Sequence, residues 1–203
     1  MRQLPKNAGM DTGRGTELVE FSGVVLAGGT AARMDGVDKS GVVLGGRTLL
    51  EMAIEAFLDA DEVVVVGPDG VPTSRPVATV REDPPLGGPV AGLLTGLDAL
   101  QRAPRLVGVL AVDMPRVTAY TMRRLREASE GHDGAFLTDG DGRRQLAGVL
   151  DVRRLAQVRP RPEEQHGMAL HRLLSPLDLA LVAAIGDEAV DIDWWADLRD
   201  LQP

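Results

Sequence analysis

The chain has 203 residues, with 22 Lys and Arg against 30 Asp and Glu, and a formal net charge of −8. This length suits a single globular domain with a sizeable core. The negative charge disfavours a nucleic-acid partner, because it repels a polyanion and no long basic run offsets it. The chain contains no cysteine, which excludes disulfides, thiolate metal sites and thiol nucleophiles.

The N-terminal segment differs in pattern from the rest of the chain. Residues 1–20 show no hydrophobic period and are predicted to form a flexible leader, whereas residues 21–203 are predicted to form one domain. No apolar stretch approaches the roughly 20 residues that span a bilayer, and the N-terminus lacks the apolar core of a signal peptide. We therefore expect a cytoplasmic protein with no membrane partner.

From Ser22 onward, short apolar runs alternate with segments of helical periodicity. The alternation predicts a Rossmann-like three-layer α/β/α sandwich with a mostly parallel, twisted sheet. Because the runs after Gly131 lie too close together for parallel crossovers, we expect an antiparallel insertion in the C-terminal half. The predicted strands are 23–27, 62–67, 105–112, 134–138, 146–150 and 179–184, and the predicted helices are 50–58, 90–97 and 118–129.

The loop after the first predicted strand reads LAGGTAARMDGVDK, residues 26–39. It lacks G-x-G-x-x-G, and the residue before Lys39 is Asp38 rather than the glycine of a P-loop. Gly28 and Gly29 allow the main chain to approach a ligand closely, while Arg33 and Lys39 supply charge for a polyphosphate. The alternative is a tight glycine turn with both cations solvated.

An aspartate follows the predicted strand 105–112 directly. Asp113 stands where ligand-facing carboxylates occur in open α/β sheets. A carboxylate in this place, together with substrate phosphates, is a common Mg²⁺ site. The alternative role is an N-cap for the next helix, for which Pro115 and Thr118 are better placed.

The pattern L-A-G-G-x-x-x-R-M-x-G-x-D-K resembles that of molybdenum cofactor guanylyltransferase-type nucleotidyltransferases, the MobA-like NTP transferases. The resemblance implies that Leu26, Ala27 and Gly28 line the nucleotide and that Lys39 contacts its phosphates. From the chemistry of the loop, Gly29 is expected to bind the nucleotide as well, and Arg33 to help neutralise charge during catalysis. The D-x-P of Asp113 resembles the metal-binding segment of the family. The matching positions are Leu26, Ala27, Gly28, Gly29, Arg33, Met34, Gly36, Asp38 and Lys39.

The resemblance extends to the segment REDPPLGGPVAG, residues 81–92. It implies that Asp83 contacts the nucleoside and that the glycine turn at Gly88 borders the same pocket. A glycine turn that opens a helix also offers free N–H groups to an anion. The alternative for Asp83 is a turn carboxylate bonded to local amides.

The sequence departs from the family pattern in three segments. Asp193 takes the place of a residue near the metal, but Trp194 and Trp195 replace Thr-Pro, so that an N-cap role for Asp193 is an equal alternative. Gly67 replaces a polar residue that often touches the base, which leaves base preference open. The loop at 143–144 lacks the usual proline, although Arg143 and Arg144 could bind an anionic acceptor or form a solvated edge.

The resemblance implies a Mg²⁺-dependent enzyme that transfers GMP from GTP to molybdopterin and releases pyrophosphate. Residues 21–118 would form the nucleotide-binding half and residues 119–203 the acceptor-binding half. Transient contact with cofactor-handling proteins is a further possibility. The alternatives are a related transferase that uses CTP with molybdopterin or an NTP with a sugar phosphate, and a catalytically inactive nucleotide-binding partner protein.

Overall fold

The structure, a computed structural model, describes residues 18–28 and 37–201, with the side chain of Asp200 excepted. Its strands are β1 Leu18–Leu26, β2 Val43–Leu44, β3 Arg47–Thr48, β4 Glu62–Val66, β5 Ala78–Val80, β6 Ala103–Ala111, β7 Gly134–Thr138, β8 Arg144–Asp151 and β9 Leu179–Ala183. Its helices are α1 Leu49–Ala56, α2 Gly88–Ala99, α3 Ala119–Ala128, α4 Val152–Val158, α5 Pro162–Gln165, α6 Leu170–Leu174 and α7 Trp195–Asp200, and a 3-10 turn spans Lys39–Gly41.

Seven of these strands form one mixed sheet in the order β5-β4-β1-β6-β8-β7-β9, while β2 and β3 form a separate hairpin. Strand β8 is antiparallel to both of its neighbours, and the other pairs in the sheet are parallel. The carboxyl ends of six strands therefore lie along one edge of the sheet. The loops that follow these strands meet at that edge.

Helices cover both faces of the sheet, and this confirms the predicted three-layer α/β/α class with an antiparallel strand in the C-terminal half. One apolar cluster lies between the sheet and α1, α3 and α7, and the other lies between the sheet and α2, α4 and α6. All three phenylalanines pack against glycines of the sheet, Phe21 lying 3.0 Å from a Cβ placed on Gly108. A Cβ placed on Gly23 or Gly108 would lie 2.6 or 2.4 Å from the Phe57 ring, and one on Gly148 would lie 2.5 Å from the Phe136 ring.

The predicted helices are all present, and the third begins at Thr118 as expected: its hydroxyl accepts from the Thr121 backbone N–H in a capping box. Several elements escaped prediction, namely the β2–β3 hairpin, β5, and α4 to α6. They are short or mostly exposed, and so leave little hydrophobic periodicity. Strand β1 begins at Leu18, within the segment predicted as leader, because Leu18 and Val19 pair with the start of β6. Residues 1–17 lie outside the described residues.

The longest helix in the described parts of the chain is α2, with 12 residues. No helix among the described residues has the length and apolar character that crossing a bilayer requires.

Candidate active site

The candidate site opens at the carboxyl end of β1, where the direction of the strand order changes. Leu26 of β1 pairs with Val66 of β4 on one side and with Ala111 of β6 on the other. The pairing continues one residue further, because Ala27 N–H donates to the Val66 carbonyl and Val112 N–H donates to the Leu26 carbonyl. Ligands in open α/β sheets bind in the crevice at such a switch point.

A short 3-10 turn at the far end of the opening loop positions Lys39. One carboxylate oxygen of Asp38 accepts from the backbone N–H of Ser40 at 2.9 Å and from its hydroxyl at 2.6 Å. Ser40 is buried, so these bonds anchor the turn against the protein interior. The cap therefore fixes the backbone from which the Lys39 side chain extends. The sequence analysis gave Asp38 no role of its own beyond its place in the motif.

The Lys39 ammonium lies between two carboxylates that are distant in sequence. Its Nζ is 2.9 Å from Oδ2 of Asp113 and 3.0 Å from Oδ1 of Asp193. The side chain of Lys39 is only 14% exposed, against 24% for Asp113 and 36% for Asp193. The structure thus brings together three of the residues that the sequence analysis proposed for phosphate and metal binding.

The C-terminal segment reaches this cluster through a backbone contact. Ile192 N–H donates to the carbonyl of Asp113 at 2.9 Å, which aligns residue 193 beside the Lys39 ammonium. The Asp197 carboxylate accepts from the backbone N–H groups of Asp193 and Trp194, at 2.8 and 2.7 Å. The N-cap position of α7 is Trp194 rather than Asp193. The alternative of Asp193 as helix cap therefore does not describe this structure.

The charges of the cluster change the proton affinity of its members. Burial acts against the Lys39 ammonium, but the hydrogen bonds and charges of Asp113 and Asp193 outweigh it, so that the pKa of Lys39 is raised. The pKa of Asp191 is also raised, first by partial burial and then by the negative charges of Asp193 and Asp113. The site is therefore acidic, with Lys39 as its internal counter-ion.

The nucleotide-binding side of the loop has buried side chains and an exposed backbone. Leu26 and Ala27 are buried, whereas Gly28 is exposed. Any contact that residues 26–28 make with a ligand must therefore come mainly from their backbone. Gly67 packs against this backbone, since a Cβ placed on it would lie 2.8 Å from the Ala27 carbonyl carbon and 3.0 Å from the Gly28 nitrogen. Close packing accounts for glycine at the position that departs from the family pattern.

Two adjacent acidic residues lie after β5 and differ in how far their side chains are exposed. Asp83 is exposed, whereas Glu82 is partly buried. The Glu82 carboxylate lies beside Gly28, with both oxygens 3.8 Å from a Cβ placed there. The Arg-Glu-Asp run contains both acids, and only the fold distinguishes them; the nucleoside contact of Asp83 stays a prediction. No hydrogen bond joins Asp83 to the described part of the chain, so the turn-carboxylate alternative has no support there.

The amino end of α2 lies in the same region. The helix begins at Gly88, which has a φ of 84°, and its N-cap residue Gly87 makes no side-chain cap. Gly88 is partly exposed, and a Cβ placed on it would meet no atom within 4 Å. Open space therefore lies beside the Gly88 backbone, and its role at the border of the nucleotide pocket stays a prediction.

Of the two arginines proposed for the acceptor, Arg143 ends the β7–β8 connection and Arg144 is the first residue of β8. This connection is at the ligand edge of the sheet, because β7 runs parallel to β9 and antiparallel to β8. Arg143 and Arg144 are both exposed. The Arg144 guanidinium lies 5.6 Å from the centroid of the Phe136 ring. The structure thus leaves both open roles possible, as acceptor contact or as solvated edge.

The described part of the chain holds no group of three or more His, Cys, Asp or Glu side chains arranged to bind a metal ion. Asp113 and Asp193 nevertheless direct one oxygen each to a single cation, the Lys39 ammonium. Two carboxylates that share a cation are a suitable protein contribution to a Mg²⁺ site whose other ligands are phosphates and water. Gly29, Arg33, Met34 and Gly36 lie outside the described residues.

A three-layer α/β fold with a lysine and two aspartates at its switch point defines the class of protein, a nucleotidyltransferase. Residues 23–180 match the model of the MobA-like NTP transferase domain. The chain belongs to that family, whose members in general depend on a divalent metal.

Two curated relatives are molybdenum cofactor guanylyltransferases. The chain is 34% identical over 145 residues to a probable enzyme of this name from Opitutus terrae, across 70% of this chain and 71% of that protein. It is 33% identical over 188 residues to the enzyme from Burkholderia orbicola, across 87% of this chain and 82% of that protein.

Solved structures share the fold at lower sequence identity. Rv0371c from Mycobacterium tuberculosis superposes with a TM-score of 0.71 at 18% identity, over 90% of this chain and 97% of that one. Molybdopterin-guanine dinucleotide biosynthesis protein A from Archaeoglobus fulgidus gives 0.68 at 19% identity, over 89% and 96%. The 2-C-methyl-D-erythritol 4-phosphate cytidylyltransferase of Thermus thermophilus gives 0.67 at 23% identity, over 91% and 98%. The same fold therefore occurs both in a protein of molybdopterin-guanine dinucleotide biosynthesis and in a cytidylyltransferase.

Proposed function

We propose that the protein is a Mg²⁺-dependent guanylyltransferase that transfers GMP from GTP to molybdopterin, with pyrophosphate as the second product. The observation that carries the proposal is the Lys39 ammonium held between Asp113 and Asp193 at the switch point of the sheet. The curated relatives, which are named for this activity, support the choice of GTP and the molybdenum cofactor. We expect the enzyme to act in the cytoplasm.

The chemistry requires positioning and charge neutralisation rather than a base. An oxygen of the acceptor phosphate, already ionised near neutral pH, attacks the α-phosphorus of GTP and forms a new P–O bond. The bond from the α-phosphorus to the oxygen that bridges to the β-phosphorus breaks, and pyrophosphate leaves with that electron pair. Charge accumulates on the phosphate oxygens during the transfer, so fixed cations near them lower the barrier.

The residues of the cluster have distinct proposed tasks. Asp113 and Asp193 would hold Mg²⁺, which supplies positive charge to the phosphates when it is bound. Lys39 then moves its ammonium from these carboxylates to the phosphate oxygens of the nucleotide. While it lies between the two carboxylates the pKa of Lys39 is raised, so the side chain is a cation before the nucleotide binds. Arg33 is proposed as a further cation for the same phosphates.

The nucleoside and the acceptor occupy opposite sides of this cluster in the proposal. The backbone of residues 26–29, together with Asp83 and Gly88, would hold the nucleotide. Arg143 and Arg144, at the start of the antiparallel strand β8, would attract the phosphate of molybdopterin. Their exposure at the ligand edge of the sheet supports this assignment. A transient partner that delivers the cofactor stays a prediction.

The decisive experiment measures pyrophosphate release with GTP, CTP, ATP or UTP, Mg²⁺ and either molybdopterin or a sugar phosphate as acceptor. We expect release only with GTP and molybdopterin together. Asp113→Asn serves as the inactive control, with its fold checked by circular dichroism. Release with CTP or with a sugar phosphate instead would identify the related transferase. Nucleotide binding without release from any pair would identify a binding protein.

A further inference from the structure

The side chain of Glu82 lies beside Gly28, the second residue after β1. Both of its carboxylate oxygens lie 3.8 Å from a Cβ placed on Gly28, and one lies 3.4 Å from a Cβ placed on Gly92 of α2. Gly92 is buried, and its nearest other neighbours are side-chain atoms of Leu26 and Val66, the last residues of β1 and β4. The carboxylate thus lies above the ends of these two strands, next to the backbone that is proposed to hold the nucleoside.

The Glu82 carboxylate has no protein partner in the described part of the chain: no hydrogen bond or ion pair joins it to any residue of 18–28 or 37–201. The buried Glu188 carboxylate, by contrast, accepts hydrogen bonds from Thr121 and Arg124. A partly buried carboxylate gains most from hydrogen-bond donors that share its environment. A ligand with two adjacent N–H groups would supply them.

Because residue 67 is glycine, it offers no side chain for base recognition, and Glu82 is a candidate for that task. Any side chain at this position would collide with the backbone of Ala27 and Gly28, so residue 67 cannot contribute a polar group to base recognition. Asp83 is the adjacent acid, but its side chain is exposed rather than packed beside Gly28. Glu82 is therefore the acid of this pair that is placed to distinguish one base from another.

We infer that Glu82 selects guanine by accepting hydrogen bonds from N1–H and from the N2 amino group of the base. The inference rests on the proposed function and extends it to base specificity. Guanine presents two adjacent donors on this edge, which match the two oxygens of one carboxylate. Adenine and cytosine present a ring-nitrogen acceptor where guanine has N1–H, so an ionised carboxylate repels them. Hypoxanthine keeps N1–H but lacks the amino group.

Binding of GTP and ITP tests this inference without any acceptor or turnover. Isothermal titration calorimetry would compare the wild-type protein with Glu82→Gln and with Glu130→Gln, which removes the same charge from an exposed position in the turn after α3. We expect the wild type and Glu130→Gln to prefer GTP over ITP about tenfold or more, as hydrogen bonds to a charged group require. Glu82→Gln should reduce that preference to about threefold or less. Thermal unfolding would confirm that both variants are folded.

The outcomes separate this inference from the proposed function. If Glu82→Gln weakens GTP and ITP binding equally, the carboxylate contacts the ribose or supports the loop, and the inference is wrong. The inference is equally overturned if the wild type does not prefer GTP to ITP. If the preference depends on Glu82 but no acceptor yields pyrophosphate, the guanine site stands and the transferase proposal fails.

Discussion

Nζ of Lys39 lies 2.9 Å from Oδ2 of Asp113, although the two residues are 74 positions apart in the chain. Each stands just beyond an element of the switch point: Lys39 ends the long loop after β1, and Asp113 follows β6. Because β1 and β6 are adjacent and parallel, their following loops meet at one edge of the sheet. The ion pair therefore joins the two segments that nucleotidyl transfer would need together.

Replacing Asp113 with asparagine tests the proposed metal ligand. The amide keeps the size of the side chain but loses the negative charge that would hold Mg²⁺. We expect kcat to fall by on the order of 10²-fold or more, with the fold intact. Pyrophosphate release measures the loss, and Mn²⁺ titration by electron paramagnetic resonance should show weaker metal binding. Near-normal turnover would remove Asp113 from the metal site.

The Asp38 cap is expected to matter for activity more than for stability. Asp38→Ala removes the acceptor for the Ser40 backbone and hydroxyl, and the turn beneath Lys39 loosens. The expected cost in unfolding free energy is about 1 kcal/mol, with a decrease in kcat of about tenfold as the ammonium loses its position. Thr48→Ala is the matched control, because it removes the side-chain cap of α1. Equal effects of both variants on kcat would contradict a positioning role for Asp38.

A larger residue at position 67 should disturb the nucleotide loop. Asparagine, a polar residue, would press against the Ala27 carbonyl carbon and the Gly28 nitrogen. We expect Gly67→Asn to weaken GTP binding by about tenfold or more. Overpacking of this kind displaces the backbone, and its typical cost is about 1–3 kcal/mol of free energy. Gly140→Ala is the control, since a Cβ there meets no atom within 4 Å. Calorimetric titration with GTP measures both variants, and undiminished binding by Gly67→Asn would contradict the steric argument.

Glu188 links the loop after β9 to α3, and its charge should make stability depend on pH. Its carboxylate accepts from the Thr121 hydroxyl and from Arg124, both at 2.7 Å, and from the Ile185 N–H at 2.8 Å. Burial acts to raise its pKa, but these hydrogen bonds and the Arg124 charge outweigh burial, so the pKa of Glu188 is lowered. The folded state therefore holds the ionised form more tightly than the unfolded state does.

The sign of the pH effect follows from that direction. The stabilisation is fully present above the ordinary glutamate pKa of 4.5 and is lost as the pH falls through the lower folded value. Glu188→Gln should lower the free energy of unfolding at pH 7 by about 1–3 kcal/mol and should lose less stability than the wild type on acidification. Urea unfolding between pH 7 and 3 measures this. As a control, Asp59→Asn breaks the surface pair with Arg123 and should change stability much less. Parallel curves of stability against pH for the wild type and Glu188→Gln would contradict the proposed stabilising role of the Glu188 charge.

Much of the architecture could be predicted from the sequence, because local patterns encode it directly. The runs at 62–67, 105–112 and 134–138 are almost purely apolar, as strands buried on both faces must be, and each is a strand of the sheet. The cap at Thr118 is likewise local. The short, mostly exposed β5 could not be found in this way, since an edge strand of three residues leaves no apolar pattern.

The sequence by itself determined the candidate residues: the Gly-rich loop, Lys39 and Asp113 follow from residue type and spacing, and Asp193 follows from the family resemblance. Only the tertiary structure decided which of them meet. Asp193 lies 154 positions from Lys39, and the backbone bond from Ile192 to Asp113 places it there. The same holds for Glu82 and Asp83, which are equivalent acids in the sequence. Their difference depends on how the chain turns after β5 and packs beside Gly28, and that packing is a property of the assembled sheet and helices rather than of any local pattern.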